Sequence, residues 1–196
     1  MRKLVLFFFL IAVCAPEALA QSTDDYNKYD VYLGYSHNRA DTGISDGAAD
    51  PDDIFDEREG FHGFEAAVAG NVRRYVGIKG DYAFHRKSFE IGPSFKASTD
   101  FHTLVGGIQL KDNATDTKVK PFAHLMAGLT HARFKAEGIG DFNDSETGFA
   151  GVIGGGIDVR INNRVDIRAI QFDYHPTRLG DATQHNFRIG FGVVFR

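Results

Sequence analysis

The sequence predicts an all-β chain in which eight antiparallel strands, in up-and-down order, close into a transmembrane barrel. Three observations lead there. In the last stretch, Asn186 to Arg196, Phe187, Ile189, Phe191, Val193 and Phe195 occupy every second position. An extended strand would therefore be greasy on one face and polar or small on the other, an alternation that suits lipid outside and a lumen inside. After the first twenty residues no stretch is apolar for eighteen residues or more, so any membrane crossing must be made by a closed barrel and not by helices. Finally, eight alternating segments are joined by connections that run long, short, long, medium, long, short, long, which is how barrels of this class sort outer loops from periplasmic turns.

The chain has 196 residues, 43% hydrophobic and 24% charged, with 22 glycines, 18 phenylalanines and no tryptophan. That is one domain's length, and the glycine–phenylalanine bias favours sheet over a helical bundle. A formal net charge of −4 gives no reason to expect nucleic-acid binding.

Residues 1–20 read as a secretory signal peptide. Arg2 and Lys3 precede the apolar run Leu4 to Val13, and Ala18-Leu19-Ala20 supplies a cleavage pattern before Gln21. Lipidation at Cys14 is the competing reading, but Val13 is larger than the residue such a signal wants. Cleavage would remove the only cysteine, so disulfides would have no part in the fold. Residues 21–28 read as a short periplasmic leader and 29–196 as the barrel domain.

The first strand, Tyr29 to His37, sets Val31, Leu33 and Tyr35 against Asp30, Tyr32, Gly34 and Ser36. Asn38 to Gly60 breaks all periodicity and reads as an acidic loop carrying Asp41, Asp46, Asp50, Asp52, Asp53, Asp56, Glu57 and Glu59. The second strand, Phe61 to Gly70, turns Phe64, Ala66 and Val68 outward and Glu65 inward. After a tight Asn71-to-Arg74 connection, the third puts Val76, Ile78, Gly80, Tyr82 and Phe84 outward, with Lys79 and Asp81 inward.

His85 to Asp100 reads as a long connection, and His102 to Leu110 as the fourth strand, with Leu104, Ile108 and Leu110 on one face. Past the polar turn Lys111 to Lys118, the fifth strand, Val119 to Arg133, opposes Ala123, Leu125, Ala127 and Leu129 to Phe122, His124, Met126 and Thr130. Phe134 to Thr147 is again read as a long loop. The sixth strand, Gly148 to Arg160, places Asp158 inward. In the seventh, Val165 to Tyr174, the alternation slips: Val165 and Ile167 share one parity, Ile170, Phe172 and Tyr174 the other, which a bulge near Arg168 to Ile170 reconciles. His175 to His185 is the last connection before the closing strand.

The blocks Y-D-V-Y-L-G-Y-S at Tyr29, V-G-I-K-G-D-Y at Val76, K-P-F-A-H at Lys120, F-D-Y-H-P-T-R at Phe172 and the closing strand resemble the eight-stranded outer-membrane barrel domains related to OmpA and OmpX. The resemblance implies residence in the bacterial outer membrane and contact with its lipid and lipopolysaccharide. It also implies delivery by the barrel assembly machinery, which reads an aromatic residue at the end of the closing strand; here Phe195 is followed by Arg196.

For chemistry, the inward charges Glu65, Lys79, Asp81, Asp158, Arg168 and Arg188 are expected to form a salt-bridge network, because an eight-stranded barrel has only enough interior for side chains. The acidic loop reads as a solvated segment or a site for divalent cations or a basic partner; it lacks the calcium-loop pattern. The scattered histidines match no zinc motif, and Gly154 to Gly156 no phosphate loop. Tyr32, Tyr35, Tyr75, Tyr82, Phe84, Phe149, Tyr174 and Phe187 are candidates for interfacial aromatic girdles. No cofactor, metal site or catalytic group is expected. Three readings stay open: a non-enzymatic structural or surface-interaction barrel; an outer-membrane barrel enzyme acting on lipid or peptide at the outer rim, using His37, His175 or His185 with Ser36 or Asp173; and a soluble periplasmic barrel enclosing a small apolar ligand.

Overall fold

A computed structural model describes residues 26–41, 58–90, 96–137, 142–180 and 182–196. Its elements are β1 (Tyr29–Asp41), β2 (Arg58–Arg73), β3 (Val76–Glu90), β4 (Lys96–Lys111), β5 (Val119–Glu137), β6 (Phe142–Arg160), β7 (Val165–Leu179) and β8 (Ala182–Phe195). Each strand pairs antiparallel with its sequence neighbours, and β8 returns to β1, from Val31 opposite Phe195 to Arg39 opposite Phe187. The sheet is a closed eight-stranded barrel with no open side.

Alternation decides what each face meets. Leu104 and Ile78 are each 64% exposed and Leu125 63%, while Glu65, Arg188 and Asp158 are 0% exposed. The burial of a water-soluble protein is thus inverted: the lumen is polar and the outer wall apolar, as a barrel immersed in hydrocarbon requires. The soluble-barrel reading, which needs the phenylalanines inside, fails on Phe64, Phe149, Phe172 and Phe191, all exposed on the wall. Among the described residues, Phe61 and Phe122 do enter the lumen, and Phe61 packs edge-on against Phe101. Tyr32 is also an interior ring, 2% exposed, and so is not part of an aromatic girdle.

The strands are longer than expected. β1 has 13 residues, and β5 and β6 have 19 each, where nine to eleven tilted residues cross a bilayer. What the sequence shows as long connections is largely continued ladder. Ala97 to Asp100 pair with Phe89 to Arg86 on β3, Phe134 with Asp144, and Arg178 with Thr183. The connection between β5 and β6 shrinks to residues 138–141. Outside the bilayer both faces of a strand meet water, so the side chains lose their period while the backbone hydrogen bonds continue.

In β7 the register with β8 shifts between Arg168 and Gln171, and that with β6 between Ile157 and Asp158. Val165 and Ile167 stay on the wall on one side of the irregularity, Ile170 and Phe172 on the other, with Ala169 the extra residue. At the end with the short turns, Tyr26 is buried, its hydroxyl donates to the Val72 carbonyl at 3.0 Å, and it bridges to Ala114.

Candidate functional site

The lumen collects the charged side chains, and two groups of them meet. Near Arg188, the guanidinium donates to Asp173 (Nε 2.9 Å, Nη2 2.7 Å) and to Asp81 (Nη1, 3.1 Å), with Glu65 at 3.6 Å. Lys79 lies 3.1 Å from Asp81 and 3.7 Å from Glu65. It also donates to His124 Nδ1 (3.4 Å), which leaves the imidazole proton on Nε2 to donate to Asp173 (2.8 Å).

Nearer the short turns, Arg168 grips Asp158 with Nε (2.8 Å) and Nη2 (3.2 Å). Its guanidinium is sandwiched between Tyr32 and Phe122, 4.2 and 4.1 Å from their ring centroids. Lys111 bonds Asp158 at 3.1 Å and Asp30 at 2.5 Å. Gln171 joins the two groups: Arg168 Nη1 donates to its carbonyl (2.6 Å), and its amide donates to Glu65 (2.9 Å) and Asp173 (2.7 Å). Close approach is needed here: a Cβ on Gly156 would meet the Phe122 ring at 2.9 Å.

Glu65, Lys79, Asp81 and Arg188 thus fall in one group and Asp158 and Arg168 in the other. Missing from the sequence reading are Asp30, Lys111, Gln171 and Asp173. Asp30 and Asp173 already carried inward parity opposite Val31 and Phe172, so that signal was present. Lys111 opens a polar stretch that reads as a turn, and Gln171 carries no charge to mark it. Buried ions persist when their partners satisfy them, and this chain supplies carboxylate, guanidinium, ammonium, amide and imidazole together.

On the wall, Ile189, Phe191 and Phe195 of the closing strand are exposed, and Phe187 and Val193 are half-buried. Phe187 packs against Phe172 and Tyr174, with ring centroids 5.8 and 5.6 Å apart. After Phe195, the Arg196 guanidinium stands against the Asp166 carboxylate, and its backbone N–H donates to the Arg164 carbonyl at 3.0 Å.

Two members of the acidic loop are strand residues. Asp41 pairs in register with Arg58 at the end of β1, and Glu59 lies in β2 with its carboxylate 3.4 Å from Lys87. Backbone pairing of β1 with β2 overrides the broken side-chain period there. Asp46, Asp50, Asp52, Asp53, Asp56 and Glu57 lie outside the described residues. Of the candidate catalytic groups, His175 and Asp173 are buried in the lumen, Ser36 is 0% exposed and 2.9 Å from buried His85, and His37 and His185 lie on the outer wall. Among the described residues no three His, Cys, Asp or Glu side chains are grouped to hold a metal ion.

The outer membrane protein beta-barrel domain family matches residues 5–195. The chain belongs to that family. Its fold is similar to Ail, the attachment invasion locus protein of Yersinia pestis, at 18% identity over 85% of this chain and 97% of Ail, with a TM-score of 0.60. It is similar too to Neisserial surface protein A, at 12% identity over 88% of this chain and 99% of the other, with a TM-score of 0.62. No curated protein matches the sequence. Family membership makes this a barrel of the bacterial outer membrane, in contact with its lipids.

Proposed function

We propose that this barrel is a non-enzymatic structural and surface-interaction protein, exported through cleavage of residues 1–20 and delivered to the membrane by the assembly machinery through its closing strand. The observation that carries the reading is the lumen, where Arg188 and Lys79 pair with Asp81, Asp173 and Glu65 across the interior. A lumen filled in this way argues for a plug, not a pore. The Ser36–His85 pair supports the inert reading, because both side chains are sealed from substrate.

Surface interaction falls to the β1–β2 connection. Residues 42–57 carry Asp46, Asp50, Asp52, Asp53, Asp56 and Glu57 and no lysine or arginine. The Ail structure is a complex with the heparin analogue sucrose octasulfate; an acidic segment repels such a polyanion and favours a cationic partner. The lipid-facing wall gives no reason to expect nucleic acid as a partner.

The test replaces residues 42–57 by a short Gly-Ser linker in the nanodisc-embedded barrel. Binding to a cationic peptide such as polylysine should be lost, heparin should bind neither form, and neither form should conduct in planar bilayers. Retained polylysine binding, or steady conductance, would overturn the reading.

A further inference from the structure

The eight histidines divide cleanly. His85, His124 and His175 are buried in the lumen. His37, His62, His102, His131 and His185 stand on the outer wall, all toward the end away from the short turns. Each lies two residues beyond a large lipid-facing side chain of its own strand: Tyr35, Phe64, Leu104, Leu129 and Phe187 respectively. On β3 the same place, beyond Phe84, is taken by Arg86. Two residues advance a strand by about 7 Å, from the edge of the hydrocarbon, where aromatic side chains collect, to the headgroups.

The imidazoles are held in place. Nδ1 of His102 meets the Tyr82 hydroxyl at 2.9 Å, that of His185 the Tyr174 hydroxyl at 2.5 Å, and that of His131 the Thr147 hydroxyl at 2.8 Å; Tyr35 bonds His62 in the same way. Where the hydroxyl donates to Nδ1 the ring proton sits on Nε2, and His62 and His102 then present an N–H donor at the opposite corner of the ring. The rings also neighbour one another, His37–His62 at 4.7 Å and His102–His131 at 6.4 Å between centroids.

Among the described wall residues, the charged side chains facing the belt are Arg39, Arg86 and Arg133, with one exception. His62 faces His37, Tyr35 and, across β3, Arg86; His102 faces Tyr82 and His131; His131 faces Thr147 and, farther along its own strand, Arg133; His185 faces Tyr174 and Pro176. The exception is Asp100, whose carboxylate is taken by Arg86 at 2.6 and 2.8 Å.

We propose that this histidine belt binds the phosphate groups of phosphorylated glycolipid in the outer leaflet, clasping the barrel at headgroup height. The proposal rests on the outer-membrane reading and is independent of the β1–β2 connection.

The test uses the full barrel in an uncharged maltoside micelle, titrated with bisphosphorylated lipid A and with its dephosphorylated form, and reads lipid association and histidine 15N shifts. The phosphorylated lipid should bind about tenfold more tightly than the dephosphorylated one. The H62Q/H102Q/H131Q/H185Q variant should lose that difference while still migrating as a folded, heat-modifiable band. Equal binding of the two lipids, or a glutamine variant that binds like the parent, would overturn the proposal. Abolition of lipid binding by millimolar inorganic phosphate would also overturn it, since the belt would then be a site for a free anion. A barrel lacking residues 42–57 should keep its lipid binding, so failure of the surface-interaction reading would leave this result untouched.

Discussion

Asp158 and Arg168 face each other directly across the β6–β7 ladder, and they do so because both registers shift beside them, at Ile157/Asp158 and at Arg168/Gln171. Without the extra residue Ala169, one half of β7 would turn its apolar side chains into the lumen and its acids into lipid.

Deleting Ala169 should therefore abolish folding. The parent barrel should migrate as a compact band on unheated gels and shift on boiling, whereas the deletion should give only the unfolded band at either temperature. A compact band for the deletion would show that β7 tolerates strict alternation.

Replacing Arg168 by methionine removes the cation from between Tyr32 and Phe122 and leaves Asp158 to Lys111 alone. Breaking one side of a buried pair costs about 3–5 kcal/mol. Urea unfolding in micelles should show that loss for Arg168→Met and a smaller one for Arg168→Met with Asp158→Leu. Equal losses would mean that the pair is not coupled.

Ile108 is exposed on the wall, with Ile78 and Leu125 opposite it on the neighbouring strands. Arginine there should cost about 2–4 kcal/mol in a bilayer. The same substitution on a water-facing wall would be nearly neutral, so reversible unfolding in vesicles separates the two environments.

On the short-turn side, Arg74 donates to both Asp112 oxygens, at 2.9 and 3.3 Å. This pairing first, then the Ala114 N–H and the Thr117 hydroxyl, holds the Asp112 carboxyl down at about 2. A depressed carboxyl stabilises the fold above its unfolded pKa, about 3.9, and that contribution fades as the pH falls toward 2. The pair is partly solvent-exposed, so the effect is small. Between about pH 4 and pH 2 the urea midpoint should fall less steeply in Asp112→Asn than in the parent; identical slopes would exclude the pair as a contributor.

The lumen was legible in part. Parity alone sends Glu65, Lys79, Asp81, Asp158, Arg168 and Arg188 inward, and parity is a local property. Their partners are not local: Gln171 meets Glu65 across 106 positions of sequence, and Arg188 meets Asp81 across 107. The strand ends were misplaced for the opposite reason, since Ala97, Phe134 and Arg178 are held by backbone bonds that leave no pattern in side chains.

By itself the sequence determined the strand count, which face of each strand meets lipid, and the slip in β7, because a period of two and the demand that hydrocarbon meet only apolar groups are written residue by residue. Only the tertiary structure decided the registers, the length of ladder beyond the bilayer, the choice of counter-ion for each buried charge and the gathering of five histidines into one belt. Those depend on how far each strand is staggered against its neighbours when the sheet closes, and stagger is a property of the closed sheet that no single strand carries.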